Sequence, residues 1–207
     1  MTASLMVTIA WGSLAQGPSS NKKAYERTGL EVTLSGTATF SGPPPKAQKI
    51  DMSADPECYV DNLDPETESV VVNNEKLANV VVYASSNFIL DNYSFEPSSA
   101  TVVMEHKGCR YVPHVLAIQT GQHLSINNSD QTTHNTHPTP KINQEWNQSQ
   151  PVGGRPLAKA FSRTEVSIPF KDNLHPWEKA YVGVFTHPFF AVSDANGNFK
   201  IEGLPPG

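Results

Sequence analysis

Charge, cysteine and long apolar runs are all scarce in this 207-residue chain. Only 17% of its residues are charged, and 15 Lys+Arg against 20 Asp+Glu leave a net charge of −5. A nucleic-acid binder needs a basic face to displace counterions from phosphates, so this mild acidity argues against that class. No run approaches the ~20 apolar residues of a membrane-spanning helix, and no such span is expected. No segment sustains a 3.6-residue periodicity, which argues against helical bundles and coiled coils. Gly-x-Ser-x-Gly elbows, His-Glu-x-x-His helices and Gly-rich phosphate loops are missing too, so the chain is not read as an enzyme. Asp194 to Asn198 lacks the distal Glu of a calcium loop and reads as a hairpin turn. There are two cysteines, Cys58 and Cys109, and neither has His or Cys at zinc-finger spacing.

What is present points to β structure. The chain carries 17 Pro and 13 Gly, and its apolar residues fall in short β-branched runs separated by turn residues. Strands are expected at Val32 to Leu34, Thr37 to Phe40, Val70 to Val72 and Leu77 to Tyr83, the last two split by a turn at Asn73-Asn74. Val102 to Met104 follows. Val115 to Ile118 and His123 to Ile126 flank Thr120-Gly121-Gln122 and read as a hairpin. Glu165 to Phe170 and Ala180 to Phe185 are further strands. Phe189 to Ser193 and Asn198 to Ile201 flank Asp194-Ala195-Asn196-Gly197, a strong hairpin turn. Residues 136–160, rich in Asn, Gln, Pro and Gly, read as one long loop with a short helical turn near Gln144 to Trp146. Many short strands at regular spacing predict an all-β Greek-key sandwich or barrel with a C-terminal β-hairpin extension.

The ends carry their own expectations. Leu5 to Trp11 with Ser13 and Ala15 reads as a secretory signal peptide over residues 1–15, although the usual basic start is missing. Residues 16–29 read as a flexible leader. Leu204-Pro205-Pro206-Gly207 is a turn after which a further strand is expected, so the sequence reads as cut there. A secreted, periplasmic or cell-surface location follows from export, and an oxidising compartment would let Cys58 and Cys109 join.

Three clusters carry chemistry: Asn127 to His137, Phe170 to Glu178, and Gly108 to His114. In Asp172-x-x-His175-x-x-Glu178, residues three apart in a tight inter-strand loop can turn to one point, with Pro176 fixing the backbone after the His. An imidazole with two carboxylates is half of a metal site, and His134 at a neighbouring strand end would add a second imidazole. Such a set suits Cu(II) or Zn(II). Without a metal the same loop is a solvated polar turn whose His caps a strand. His137 rivals His134 as a ligand or stands behind it. His114 and His187 read as structural, His106 and His123 as exposed, and Trp177 as packing.

The run His134-Asn135-Thr136-His137, then Phe170 to Glu178 and Ala180 to Val184, together with Gly108 to His114 and Asn127 to Asp130, resembles the cupredoxin-like (plastocyanin/azurin-type) domains of secreted bacterial proteins. The resemblance implies a cupredoxin-like domain over residues 30–186. Phe189 to Gly207, with Asp194, Gly197, Phe199 and Ile201, resembles the start of a carboxypeptidase-regulatory-like β-module over 187–207.

In the cupredoxin family the first ligand is the His of a His-Asn pair, here His134. The later ligands come from a Cys-x-x-His-Pro-Trp-Met loop, which falls on Asp172, His175, Pro176, Trp177 and Glu178. Both imidazoles are kept and both sulfurs are lost. The resemblance therefore implies a sulfur-free site of His134, Asp172, His175 and Glu178 for copper, with zinc as an alternative and a redox partner as a further expectation. Asn135 is expected to tie the two ligand loops together, and the cysteines to lie away from them. The competing reading is a metal-free β-sandwich that serves as a scaffold or as a glycan- or protein-binding module at the cell surface.

Overall fold

A computed structural model of the chain describes residues 22–85 and 90–206; the signal-peptide reading of residues 1–15 lies outside them. In chain order the first strands are β1 (Lys23–Ala24), β2 (Val32–Thr37), β3 (Val72–Asn73), β4 (Lys76–Leu77), β5 (Val81–Tyr83) and β6 (Tyr93–Ser94). Then come β7 (Val102–His106), β8 (Tyr111–Val112), β9 (Val115–Gln119), β10 (Leu124–Asn128), β11 (His134–Pro138) and β12 (Gln148–Gln150). The last are β13 (Leu157–Lys159), β14 (Glu165–Lys171), β15 (Lys179–Phe185), β16 (Phe190–Val192) and β17 (Asn198–Leu204). The α-helix described is short: α1, Pro56–Asp61.

The body is an all-β sandwich. One sheet has the order β13-β10-β7-β8 and the other β12-β11-β14-β15-β9. Period-2 alternation decides which side chains face inward. Met104 and His106 on β7, Leu124 and Ile126 on β10, Ile168 and Phe170 on β14, and Ala180, Val182 and Val184 on β15 are all buried. With Tyr111, Leu116, Ile118, Leu157 and Phe161 the apolar ones among them form one core between the sheets. Each large side chain there contributes on the order of 1.5–3 kcal/mol of hydrophobic stabilisation.

The expected hairpin between β9 and β10 does not form. β9 pairs in parallel with β15, and β10 pairs in parallel with β7, so the chain changes sheets at Gly121. Both strands bury a continuous apolar face. Pairing across the sandwich covers those faces, which a two-stranded hairpin would leave open. The 136–160 stretch is not one loop: β12 pairs with β11, β13 pairs with β10, and no helical turn forms at Gln144 to Trp146. Backbone pairing there satisfies polar groups that a long loop would leave to water. The turn expected at Asn73-Asn74 sits one residue later, where Asn74 (φ 49) and Glu75 (φ 64) join β3 to β4. Two successive left-handed residues are what a two-residue hairpin of native twist demands.

A second, smaller core gathers the two ends of the described chain. β2 pairs with β17 and β5 with β16. Leu90, Phe189 and Ile201 are buried there, with Val82, Phe95 and Leu204 packed against them. The turn at Asp194 closes, with Asp194 N donating to Asn198 O (3.0 Å) and Gly197 N to Asp194 O (2.9 Å), but the expected C-terminal hairpin does not pair strand to strand, because β16 finds β5 and β17 finds β2 instead. Within the stretch read as a flexible leader, β1 pairs with β6 and Tyr25 packs edge-on to Tyr93. Cys58 and Cys109 form a disulfide across 51 residues. Closing a loop of that length restricts the unfolded chain by about 4 kcal/mol on the chain-entropy view.

Candidate metal centre

The loop between β14 and β15 is shaped by its first residue. Asp172 Oδ1 accepts from the backbone amides of Leu174 (2.7 Å) and His175 (3.1 Å). Glu178 N donates to His175 O at 2.8 Å. The loop is thereby wound so that Asp172, His175 and Glu178 share one buried side. β11 supplies the next group: its inward row is His134, Thr136 and Pro138, all buried. β7 supplies another, because His106 continues the inward row after Val102 and Met104.

These side chains converge. His134 Nδ1 lies 3.1 Å from His175 Nδ1. Asp172 Oδ2 lies 2.9 Å from the first nitrogen and 3.2 Å from the second. Glu178 Oε2 lies 3.0 Å from His134 Nδ1, is buried, and takes no aligned hydrogen bond. Two ring nitrogens that face each other need a proton or a cation between them, and an orphaned carboxylate oxygen beside one of them asks for the same thing. Donors about 2.0–2.1 Å from a common ion stand roughly 2.9–3.4 Å apart at angles between square and tetrahedral. The residues present therefore fit a small divalent ion with nitrogen and oxygen preference.

His106 joins this cluster, with donor atoms of His106, His134, Asp172 and Glu178 all within 4.8 Å of one another. Its Nδ1 lies 2.7 Å from Glu178 Oε1 and its Nε2 lies 2.8 Å from Thr136 Oγ1. Its ring stacks on His134 at 4.4 Å. The expectation that His106 is exposed is thus wrong: it is 0% exposed. The signal was available, since Val102, Met104 and His106 stand at alternate positions of one strand.

Carboxylates dominate the electrostatics. Burial opposes a charge on His134, but the Asp130, Asp172 and Glu178 carboxylates around it outweigh that, and its pKa is raised to about 11. Burial likewise opposes charge on Asp172, yet hydrogen bonds from His134, His175 and the Asn135 and Leu174 amides hold its carboxyl far below the usual range. His175 is raised in spite of burial by Asp172 and Asp55. In the metal-free chain a bound proton thus occupies ground that a cation would take.

The other predicted residues fall around this cluster. Asn135 N donates to Asp172 Oδ2 (3.1 Å) and Asn135 Oδ1 accepts from Asn173 N (3.3 Å), so Asn135 bridges the two loops. His137 is on the outward side of β11, where it meets Asn173 Oδ1 (3.1 Å) and Glu145 Oε1 (2.7 Å) instead of the cluster. Trp177 donates Nε1–H to Cys109 O and packs on the disulfide. His123 is exposed, and His187 is buried among Phe185 and Phe189. His114 lies against Tyr181, outside the cluster.

The cysteines are not remote. Cys58 shares a donor cluster with Asp55 and His175, and Cys109 shares one with Asp130 and His134. The parallel register of β7 with β10 sets His106 opposite Asn128, which brings the Gly108-Cys109 turn beneath Asp130. Both sulfurs are bonded to each other, so neither is a thiolate ligand.

No protein-family model and no curated protein matches the chain. Solved structures similar to it include cupredoxins. A copper-containing nitrite reductase from Thermus scotoductus SA-01 aligns at 17% identity over 44% of this chain, with a TM-score of 0.36. That alignment spans only 25% of the reductase. A novel purple cupredoxin from Nitrosopumilus maritimus aligns at 18% identity over 40% of this chain and 98% of its own, with a TM-score of 0.35. The reduced state of an amicyanin mutant aligns at 15% over 50% and 97%, with a TM-score of 0.37.

Proposed function

We propose that this chain is a cupredoxin-like metal-binding protein that holds one copper ion in a sulfur-free site of His134, His175, Asp172 and Glu178, with zinc as the alternative occupant. The observation that carries the reading is the convergence of two facing imidazole nitrogens 3.1 Å apart with Asp172 Oδ2 and the orphaned Glu178 Oε2. A copper ion bound there would supply one-electron redox chemistry, and hard oxygen donors favour its oxidised state. His134 and His175 would orient it, Asp172 and Glu178 would balance its charge, and the sandwich would exclude water.

All four donors are at most 4% exposed. A closed site of this kind suits storage or buffering of the ion, or slow electron passage to a redox partner. The disulfide supports a secreted or periplasmic location. Titration with Cu(II) monitored by EPR should give one site with a weakly coloured, tetragonal spectrum. A His134→Ala/His175→Ala double variant should lose it; unchanged uptake by that variant defeats the reading.

The rival reading is a metal-free scaffold or glycan-binding module at the cell surface. It draws on the fact that His134, His175 and His106 each find partners for both ring nitrogens within the protein. Unchanged thermal stability after chelation, together with specific retention on a glycan array, would favour it.

A further inference from the structure

Behind the proposed ligands stand two carboxylates that the ligand set does not use. His134 turns Nδ1 toward the cluster, and its Nε2 lies 2.9 Å from Asp130 Oδ2. His175 repeats the arrangement, with Nε2 3.0 Å from Asp55 Oδ2. An imidazole that offers Nδ1 to a cation keeps its proton on Nε2, so each aspartate accepts that N–H.

Neither aspartate is free to turn. Asp130 Oδ1 accepts from Gly108 N (2.6 Å) and Oδ2 from Cys109 N (2.9 Å). Left-handed backbone at Gly108 (φ 61) and Cys109 (φ 52) aims both amides at it. Asp55 caps α1, its Oδ1 accepting from Glu57 N (3.0 Å), while Oδ2 also accepts from Thr132 Oγ1 (2.7 Å). The two supports meet at one covalent link. Cys58 lies on the helix that Asp55 caps, and Cys109 supplies an amide to Asp130. The sulfurs are 0% and 2% exposed by residue.

We propose that Asp55 and Asp130 are positioning residues of the metal centre, fixing both imidazoles as Nδ1 donors, and that the Cys58–Cys109 disulfide braces the pair. This rests on the reading of His134 and His175 as ligands. Their two extra negative charges make the imidazoles more basic and favour the divalent ion over Cu(I). Losing either charge weakens Cu(II) binding and raises the reduction potential.

The test uses Asp55→Asn and Asp130→Asn in the full chain. Asn caps a helix as well as Asp does, so Asp55→Asn keeps the start of α1 while the charge is lost, and at Asp130 the change also sets an amide NH2 in the nest of donors. Cu(II) affinity is read by competition with a chelator, the ligand field by EPR and the potential by spectroelectrochemistry, with circular dichroism as the check on folding. Each variant should lose about 10–100-fold in Cu(II) affinity, shift the copper hyperfine splitting and raise the potential. Cys58→Ala/Cys109→Ala should lose affinity and change the same spectrum. Wild-type affinity, spectrum and potential in both Asn variants overturn the proposal and leave the ligand set standing. A wild-type protein that takes up no Cu(II) overturns the ligand set and this proposal together.

Discussion

At the residue scale the cluster is a problem in placing protons. Gln150 Nε2 donates to Ile126 O at 2.9 Å, which fixes the amide and leaves Oε1 as an acceptor. Thr136 Oγ1 therefore donates to Gln150 Oε1 (2.7 Å) and must accept from His106 Nε2. The other ring nitrogen, His106 Nδ1, meets Glu178 Oε1 at 2.7 Å. Glu178 is thereby held so that its other oxygen points at His134. His134 sets a pH dependence. Its folded pKa of about 11 stands above the ordinary value of 6.5. Its share of the metal-free protein's stability is complete below pH 6.5 and drains away as pH climbs through 11. Asp172 works in the opposite sense, contributing above the ordinary carboxyl value of 3.8 and losing its share in acid. In urea melts of chelator-treated protein, the gap between wild type and His134→Ala should be wide near pH 6 and shrink toward pH 10. A gap that widens with pH contradicts this assignment of charge.

At the element scale, single side chains pin whole loops. The carboxylate of Glu165 on β14 accepts from the amides of Lys141 (2.6 Å), Ile142 (3.2 Å) and Asn143 (3.2 Å), and from Asn143 Nδ2 (3.1 Å). Burial works against its charge, but these hydrogen bonds prevail and hold its carboxyl below the ordinary value. Glu165→Gln should cost about 1–3 kcal/mol and speed amide exchange at residues 141–143 while leaving β14 and β15 protected. Exchange unchanged in that loop would show that Glu165 does not anchor it. Strands of this kind were readable from alternation, and so was the Asp172–Glu178 loop, whose three groups are neighbours in sequence. Helix α1 was missed because it is six residues long, too short for periodicity, although Asp55-Pro56 is a capping signal. The burial of His106 was legible in the alternation of Val102, Met104 and His106, but Asp55 and Asp130 were missed for another reason. Their places depend on the parallel register of β7 with β10 and on the seat of α1 against His175, and neither leaves a local trace. The same cause put the cysteines beside the ligand loops against expectation.

At the scale of the whole molecule, the proposed ligands all come from one sheet and its β14–β15 loop, and they touch the other sheet through Glu178's contact with His106. His134 comes from the five-stranded sheet, Asp172, His175 and Glu178 from the loop joining β14 to β15, and Glu178's partner His106 from the four-stranded sheet. An ion that binds the folded arrangement of these ligands and not the unfolded chain must stabilise the fold. Cu(II) at about a thousand times its dissociation constant should add roughly 4 kcal/mol, which for a chain of this size raises Tm by roughly 8–16 °C. A melting temperature that ignores the ion would place uptake outside the core. The most direct measurement is pulsed EPR of the chain loaded with one equivalent of Cu(II), which counts the imidazoles coupled to the metal. Two are expected in the wild type, one in His134→Ala and one in His175→Ala, without an intense thiolate charge-transfer band. A spectrum with no imidazole coupling, or one left intact by both substitutions, would contradict the sulfur-free site.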